Sequence, residues 1–482
     1  MSEAKGAMDS DRSDVPRGLP DQVSMLEARF AHMAEILDAA GLGPADYLYA
    51  PLKWRLQRPE VSQFLLGRTL WKACKQAILH PPPLPRGLPQ SVILAASSYV
   101  VSTNLLRQVV TGLEHGEAIL CDASVVTHRP LLRRVADGLR SLLALPPALI
   151  FALRVRFTLA RAGVVAVERN KIAQAAVNFA MHRAIARAIL RNVRPKCLVI
   201  GNGNRPFELS LWAEAKARGI ATVLLPYAEI CLKPARFLSL CRGVFDLVLP
   251  LSENSATEMR KLRPDIAVEV VGFPGGFNSL VTNAGVVEKT GSKDRDVLYL
   301  GGKNFEAVAA ELLYEAFGGC NDLRLRVRLH PRNRRPEARE LFSWLGENRI
   351  MDPLHNELAA DIASSAVVIS IRSTAAIDAM IAGVPLVWIS PRACREELEL
   401  DPIRTQKLAL LEATTSLELR AIIRKLLDDD GERQHVVEEQ WSRLRAAGYD
   451  RDYFGAVRSA VRRLVGIDVP NTLARLGVLA LP

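Results

Sequence analysis

Residues 197–225 read CLVIGNGNRPFELSLWAEAKARGIATVLL, and this stretch decides the fold class. Cys197 to Ile200 is a short unbroken apolar run, the pattern of a strand covered on both faces. Gly201-Asn202-Gly203-Asn204 is its exit turn. Pro206 stands where a first helical turn tolerates a missing N–H, and Gly219 stands past the last turn, where a left-handed residue closes a helix. Thr222 to Leu225 repeats the buried-strand pattern. Strand, helix and strand at this spacing make a β-α-β unit, which requires a parallel sheet.

The same grammar extends on both sides. Val92 to Ala96, a helix from Thr103 to about Leu113 and Ala118 to Cys121 form an earlier unit. A long basic helical stretch, Pro130 to Arg191, follows and is expected to break at Pro146-Pro147. Downstream come a strand from Phe245 to Leu249, a helix from Asn254 to about Leu262 and a strand from Val268 to Val271. A second set restarts at Val297 to Leu300 and continues through strands Leu323–Leu329, Ala366–Ile371 and Leu386–Ile389, with a helix from Ala375 to Ala382. The expected fold is α/β: two facing Rossmann-like doubly wound domains, 90–275 and 290–430. Before them stand a disordered tail, 1–20, and an N-terminal helical extension, 21–85, closed by the proline run His80 to Pro89; helices in 431–482 close the chain. In such an arrangement ligands bind at the carboxyl ends of the strands.

A chain of 482 residues with 49% hydrophobic and 24% charged residues sits in the globular range, outside the disordered and coiled-coil classes. Lys+Arg number 63 against 52 Asp+Glu, a net +11, so the surface favours anions. Aromatic residues are 6% of the chain, and no Gly-aromatic RNA signature or zinc-finger spacing occurs, so no nucleic-acid partner is expected. Seven cysteines are scattered without a C-x-x-C pair, the pattern of reduced thiols in a cytoplasmic protein. The first twenty residues lack the apolar core of a signal peptide. Leu142 to Leu153 is the longest apolar run, too short to span a bilayer. The segment from Arg133 to Arg161 joins an apolar centre to six arginines, which suits either a helix packed on the sheet or one lying on an acidic membrane surface.

Two segments carry candidate chemistry. Leu329-His330-Pro331-Arg332 ends a strand in which apolar residues alternate with Arg324, Arg326 and Arg328. A histidine and arginines at a strand's carboxyl end can hold a diphosphate or a phosphate leaving group through charge-assisted hydrogen bonds; the other reading is a turn histidine beside a helix-starting proline. Arg372-Ser373-Thr374 follows another strand and opens a helix closed by Gly383, where hydroxyls and free N–H groups either receive phosphate or simply cap the helix. Asp378 follows, placed to accept from ribose hydroxyls or to pair with the helix dipole. Gly301, Gly302 and Lys303 form the turn after the first strand of the second half. Glycines there admit close backbone approach, and Lys303 suits contact with a diphosphate or with a second substrate, or the turn is an ordinary loop. Asn202 and Asn204 occupy the corresponding turn of the first half.

Together, His-Pro-Arg at one strand end and Ser-Thr-x-x-x-Asp-Ala-x-x-x-Gly-x-Pro at another resemble the donor half of GT-B glycosyltransferases. The nearest groups make bacterial capsular and surface polymers: sialyltransferases, Kdo transferases and CDP-glycerol glycerophosphotransferases. The resemblance runs from about Lys196 to Leu426 and includes Asp-Leu-Val-Leu, Ser-Glu and Val-Val-Gly-Phe-Pro between Asp246 and Pro274. It implies a GT-B fold, with 90–275 as acceptor domain and 290–430 as nucleotide-donor domain. It implies that His330, Ser373 and Thr374 bind the donor's phosphate and cytidine, and that the activity is transfer of a sugar from a nucleotide-activated, CMP-linked donor to a glycan or lipid-linked acceptor. The chain departs from many relatives after the strand Thr222 to Leu225, where Pro226-Tyr227-Ala228-Glu229 replaces a His-Gly turn. A base must still deprotonate the acceptor, and Glu229 or Asp122 is the candidate.

The remaining histidines form no i, i+4 pair and no His/Asp cluster, and no metal or other cofactor is expected. The expected location is cytoplasmic, peripheral on the inner face of the cell membrane. Three other readings suit the same pattern: a CDP-glycerol or ribitol-phosphate transferase, a UDP-sugar transferase or epimerase, and a non-catalytic membrane-associated scaffold of GT-B fold.

Overall fold

The computed structural model describes residues 32–42, 91–98, 100–113, 117–123, 131–201, 205–226, 245–274, 296–302, 305–320, 322–330, 333, 336–351, 357–394, 398 and 401–467. Two six-stranded parallel sheets organise them. The first contains β1 (Ile93–Ser97), β2 (Ala118–Asp122), β3 (Cys197–Ile200), β4 (Ala221–Leu224), β5 (Leu247–Val248) and β6 (Ala267–Val268), in the order β2-β1-β3-β4-β5-β6. The second contains β7 (Asp296–Leu300), β8 (Arg324–Arg328), β9 (Ile350–Met351), β10 (Val367–Ser370), β11 (Leu386–Ile389) and β12 (Leu411–Ala413), in the order β12-β11-β10-β7-β8-β9. The chain direction across each sheet reverses once, between β1 and β3 in the first and between β7 and β10 in the second. Those reversals are topological switch points, where the crossover helices part to opposite faces and leave a crevice. The fold is α/β, two doubly wound Rossmann-like domains.

Central strands are continuous apolar runs because both faces are covered: β1, β3 and β10 are buried throughout, while β2 at the sheet edge is half-buried. The first sheet is flanked by α1 (Val100–Thr111), α2 (Leu131–Arg161), α3 (Ala166–Val193), α4 (Pro206–Lys216) and α5 (Glu253–Leu262). α4 is buried along most of its length, and its Glu214 is received by Arg183 and Arg187 of α3, the latter at 3.0 Å. The second sheet is flanked by α6 (Glu306–Phe317), α7 (Leu358–Ala363), α8 (Ala375–Ile381) and α9 (Ser416–Asp428). α9 opens with a capping box in which Thr415 and Glu418 satisfy each other's backbone N–H groups.

α10 (Asp430–Ala446) packs on the second domain, where Gln440 bonds the backbone of Leu386 and Trp441 donates to the Met380 carbonyl, and α11 (Tyr453–Leu464) returns to the first domain. Arg462 on α11 grips Glu117 with two parallel bonds of 2.9 and 2.8 Å, both side chains largely buried. Arg451 donates to the Val270 carbonyl at 2.8 Å, and Tyr449 packs edge-on against Phe273. Gln406, beyond the carboxyl end of β11, donates to Ser252, beyond the carboxyl end of β5, at 3.3 Å. The two domains are therefore tied near the carboxyl ends of their strands as well as through the closing helices.

Several elements differ from the sequence reading. α2 runs straight through Pro146-Pro147, and the break falls at Ala162–Val165, where Gly163 has φ +76°. Both prolines are exposed, on the side of α2 away from its buried stripe. The closing segment, over its described residues, is two helices parted at Gly448 with φ +81°. β5 and β6 are only two residues each, shorter than Phe245–Leu249 and Val268–Val271, because each pairs with a short neighbour near the sheet edge. β9 and β12 were not expected: Ile-Met and Leu-Glu-Ala are too short to announce a strand. Of the extension 21–85, the described part is a helix at 32–39 that buries Met33 and Leu37, with Leu42, in the first-domain core. The tail 1–20, the proline run and residues 275–295 lie outside the described residues.

Candidate functional site

At the switch point of the second sheet, three strand exits meet. β7 lies between β8 and β10, and its exit is Gly301-Gly302. The Gly301 N–H bonds to the Arg328 carbonyl at 2.9 Å, and a Cβ on Gly301 would touch the His330 backbone nitrogen at 3.2 Å. On the other side a Cβ on Gly302 would lie 2.4 Å from the Ile371 carbonyl oxygen. Glycine is required at Gly302 by close backbone approach, in addition to any approach by a ligand. The turn thus draws His330, at the end of β8, and Ile371 to Thr374, at the end of β10, to one edge.

His330 is half-buried, and its carbonyl receives the N–H of Asn333 at 2.8 Å. The arginines of β8 point elsewhere. Arg324 and Arg326 each stand 3.3 Å from Asp296, Arg326 also donates to Ser364 and Ser365, and Arg328 forms a buried ion pair with Asp361. The alternating arginines are therefore sheet fasteners, and the expectation that they cluster as diphosphate ligands is corrected. Ser373 is half-buried and Thr374 exposed; Thr374 has helical dihedrals and its hydroxyl makes no capping bond, so ordinary capping does not occupy it. Asp378, half-buried one turn into α8, has its carboxyl pushed up to about 7 by burial alone.

Sequence reasoning passes over three residues at this edge. Arg372 adopts φ +47°, a left-handed conformation costly for a side chain of its size, and its guanidinium sits 5.4 Å above the Phe305 ring. It thus bridges the β10 exit to the start of α6. Asp401 lies buried near it, its carboxyl pushed up to about 6 by burial and partly restored by the Ile403 N–H and by Arg372. Glu306, the first residue of α6, is buried; burial raises its pKa, against hydrogen bonds from Asn333 and backbone, and its Oε1 atom finds no partner among the described residues. Its sequence position marks it only as a helix-dipole partner, since burial comes from tertiary packing.

The first sheet has a comparable cluster at its own switch point. Glu208, fully buried in the first turn of α4, accepts from the Ser98 N–H at 2.6 Å and from the Ser98 hydroxyl at 2.9 Å. Burial raises its pKa, while the Ser98 bonds and the nearby Arg205 charge oppose that rise. A Cβ on Gly201 would meet Ser102 of α1 at 2.6 Å, so the β3 exit and α1 touch through that glycine. Asp122 ends β2, one strand away from this crevice, and its carboxylate is engaged by Arg107 at 3.1 Å. Among the described residues no three His, Cys, Asp or Glu side chains converge in a metal-binding group. Asn202, Asn204, Glu229, Lys303, Pro331 and Arg332 lie outside the described residues.

No family model and no curated protein matches the chain. Solved structures do match. A UDP-GlcNAc 2-epimerase from Neisseria meningitidis bound to UDP-GlcNAc aligns over 78% of this chain and 100% of its own, at 10% identity and a TM-score of 0.48. The wall teichoic acid polymerase TagF, soaked with CDPG, aligns over 83% of this chain and 98% of its own, at 10% identity and a TM-score of 0.43. The glycosyltransferase of kitacinnamycin aligns over 78% of this chain and 99% of its own, at 13% identity and a TM-score of 0.40.

Proposed function

We propose that the chain is a glycosyltransferase that moves a sugar from a nucleotide-activated donor, a CMP-linked one, to a bacterial surface glycan or lipid-linked acceptor. One observation carries the reading: His330, the Gly301-Gly302 turn and Arg372-Ser373-Thr374 stand together at the switch point of the second sheet. That is where doubly wound folds bind nucleotides. In this reading the bond from the sugar's anomeric carbon to the phosphate oxygen breaks, and the nucleotide departs with the electron pair. His330 and Arg332 meet the growing phosphate charge, Ser373 and Thr374 donate to its oxygens, and Asp378 receives the ribose hydroxyls. The acceptor hydroxyl attacks the anomeric carbon and gives its proton to a carboxylate, Glu229 or Asp122. The Arg107 pairing of Asp122 favours Glu229 for this role.

Titration calorimetry with CMP, CDP and UDP tests the reading, on the full chain and on His330→Ala. The expected result is a preference for a cytidine nucleotide that His330→Ala weakens by roughly tenfold or more. A preference for UDP moves the donor to a UDP-sugar, and absence of binding by all three overturns the enzymatic reading.

A further inference from the structure

The outward face of α2 is apolar where a surface helix is ordinarily polar. Leu143, Ile150 and Phe157 are 79%, 60% and 58% exposed. They recur every seven residues, two helical turns, and so form one ridge. Its length is about 21 Å at 1.5 Å per residue. The opposite stripe of Ala148, Ala152, Val155 and Leu159 is buried in the first-domain core beside α3. Arg154 and Arg161 stand exposed on the same side as the ridge, and neither has a hydrogen-bond or ion-pair partner among the described residues. No Asp or Glu occurs between Gly138 and Val167.

We propose that this face of α2 seats on an anionic lipid bilayer, with the helix lying in the interface. The chemistry of the face matches that surface on both counts: the ridge enters the acyl boundary while the arginines meet lipid phosphates. Residues Leu143–Arg161 are long and apolar enough to cross a membrane, but the buried stripe fastens α2 to the domain and holds it parallel to the surface. A second copy of the chain fits less well, because a self-paired α2 brings arginines together with no carboxylate on the helix face to receive them. The surface is independent of the nucleotide reading, since none of its residues belongs to the switch-point edges.

Vesicle sedimentation of the full chain tests the proposal, comparing phosphatidylcholine alone with phosphatidylcholine containing phosphatidylglycerol. The wild type is expected to sediment with the anionic vesicles, less so as salt rises. The double variant Ile150→Glu/Phe157→Glu and the double variant Arg154→Glu/Arg161→Glu are each expected to lose roughly tenfold in vesicle affinity. Both should keep the wild-type circular dichroism spectrum, since all four positions are exposed. Absence of binding to anionic vesicles overturns the proposal, as does equal binding to neutral ones or undiminished binding by folded variants. A dimer that Ile150→Glu/Phe157→Glu dissolves, without vesicle binding by the wild type, gives the ridge to a second copy and also overturns it.

Discussion

A Cβ atom on Gly302 would stand 2.4 Å from the carbonyl oxygen of Ile371, closer than side-chain carbons approach any backbone. The exits of β7 and β10, the strands that flank the switch point, lie this close only because this residue has no side chain. The expected consequence of Gly302→Ala is displacement of one exit loop, at a cost of about 1–3 kcal/mol. Urea unfolding measures the loss, and a variant as stable as the wild type would show that the exits have room to spare.

Arg372 offers a separation between strain and function. Its left-handed backbone costs about 1–2 kcal/mol for a non-glycine residue, while its stack on Phe305 returns about 0.5–1. Arg372→Gly therefore leaves stability within about 1 kcal/mol of the wild type. A residue kept in a strained conformation at the proposed nucleotide crevice is expected to serve the ligand. Nucleotide affinity should drop by about tenfold or more in this variant, with nucleoside affinity unchanged. Equal calorimetric constants for the nucleotide would remove Arg372 from the site.

Much of this architecture is legible in the chain, for identifiable reasons. Buried parallel strands such as Cys197–Ile200 are unbroken apolar runs, and Pro206 and Gly219 bracket their helix with covalent geometry that few other contexts tolerate. The turn Gly301-Gly302 and the edge residues His330, Ser373, Thr374 and Asp378 are visible because strand ends are visible. Arg372, Glu306 and Glu208 are not. Their significance lies in a dihedral angle or in burial, and both arise only when distant segments pack. The prolines of α2 mislead for the converse reason: local chemistry disfavours them inside a helix, but the packed inner face of Ala148, Ala152, Val155 and Leu159 outweighs that preference.

The ion pair of Arg328 with Asp361 sets the end of β8, from which His330 emerges. Both side chains are buried, so removing one partner strands a charge away from water. Asp361→Ala should cost about 3–5 kcal/mol, whereas the joint replacement Arg328→Met/Asp361→Leu should recover most of that loss. Chemical denaturation of the single and double variants decides the matter. A double variant no more stable than Asp361→Ala would mean that Arg328 is needed for contacts other than this carboxylate.

Asp378 and Asp401 give the second domain an unusual dependence on pH. Their carboxyls are raised from 3.8 to about 7 and about 6, so between those values the folded chain holds protons that the unfolded chain releases. The unfolded state binds fewer protons there, which makes stability fall as pH rises. The stabilisation of the neutral forms is complete below about pH 4 and gone above about pH 7, the reverse of a salt-bridged aspartate. Asp378→Asn keeps the shape and removes the titration, so its melting temperature should exceed that of the wild type at pH 8 and approach it at pH 5. In the proposed site the same change weakens the grip on ribose, which makes stability and nucleotide affinity move in opposite directions. Melting curves from pH 5 to 8 on both proteins test this, and parallel curves would mean that Asp378 is already ionised in the folded chain at neutral pH.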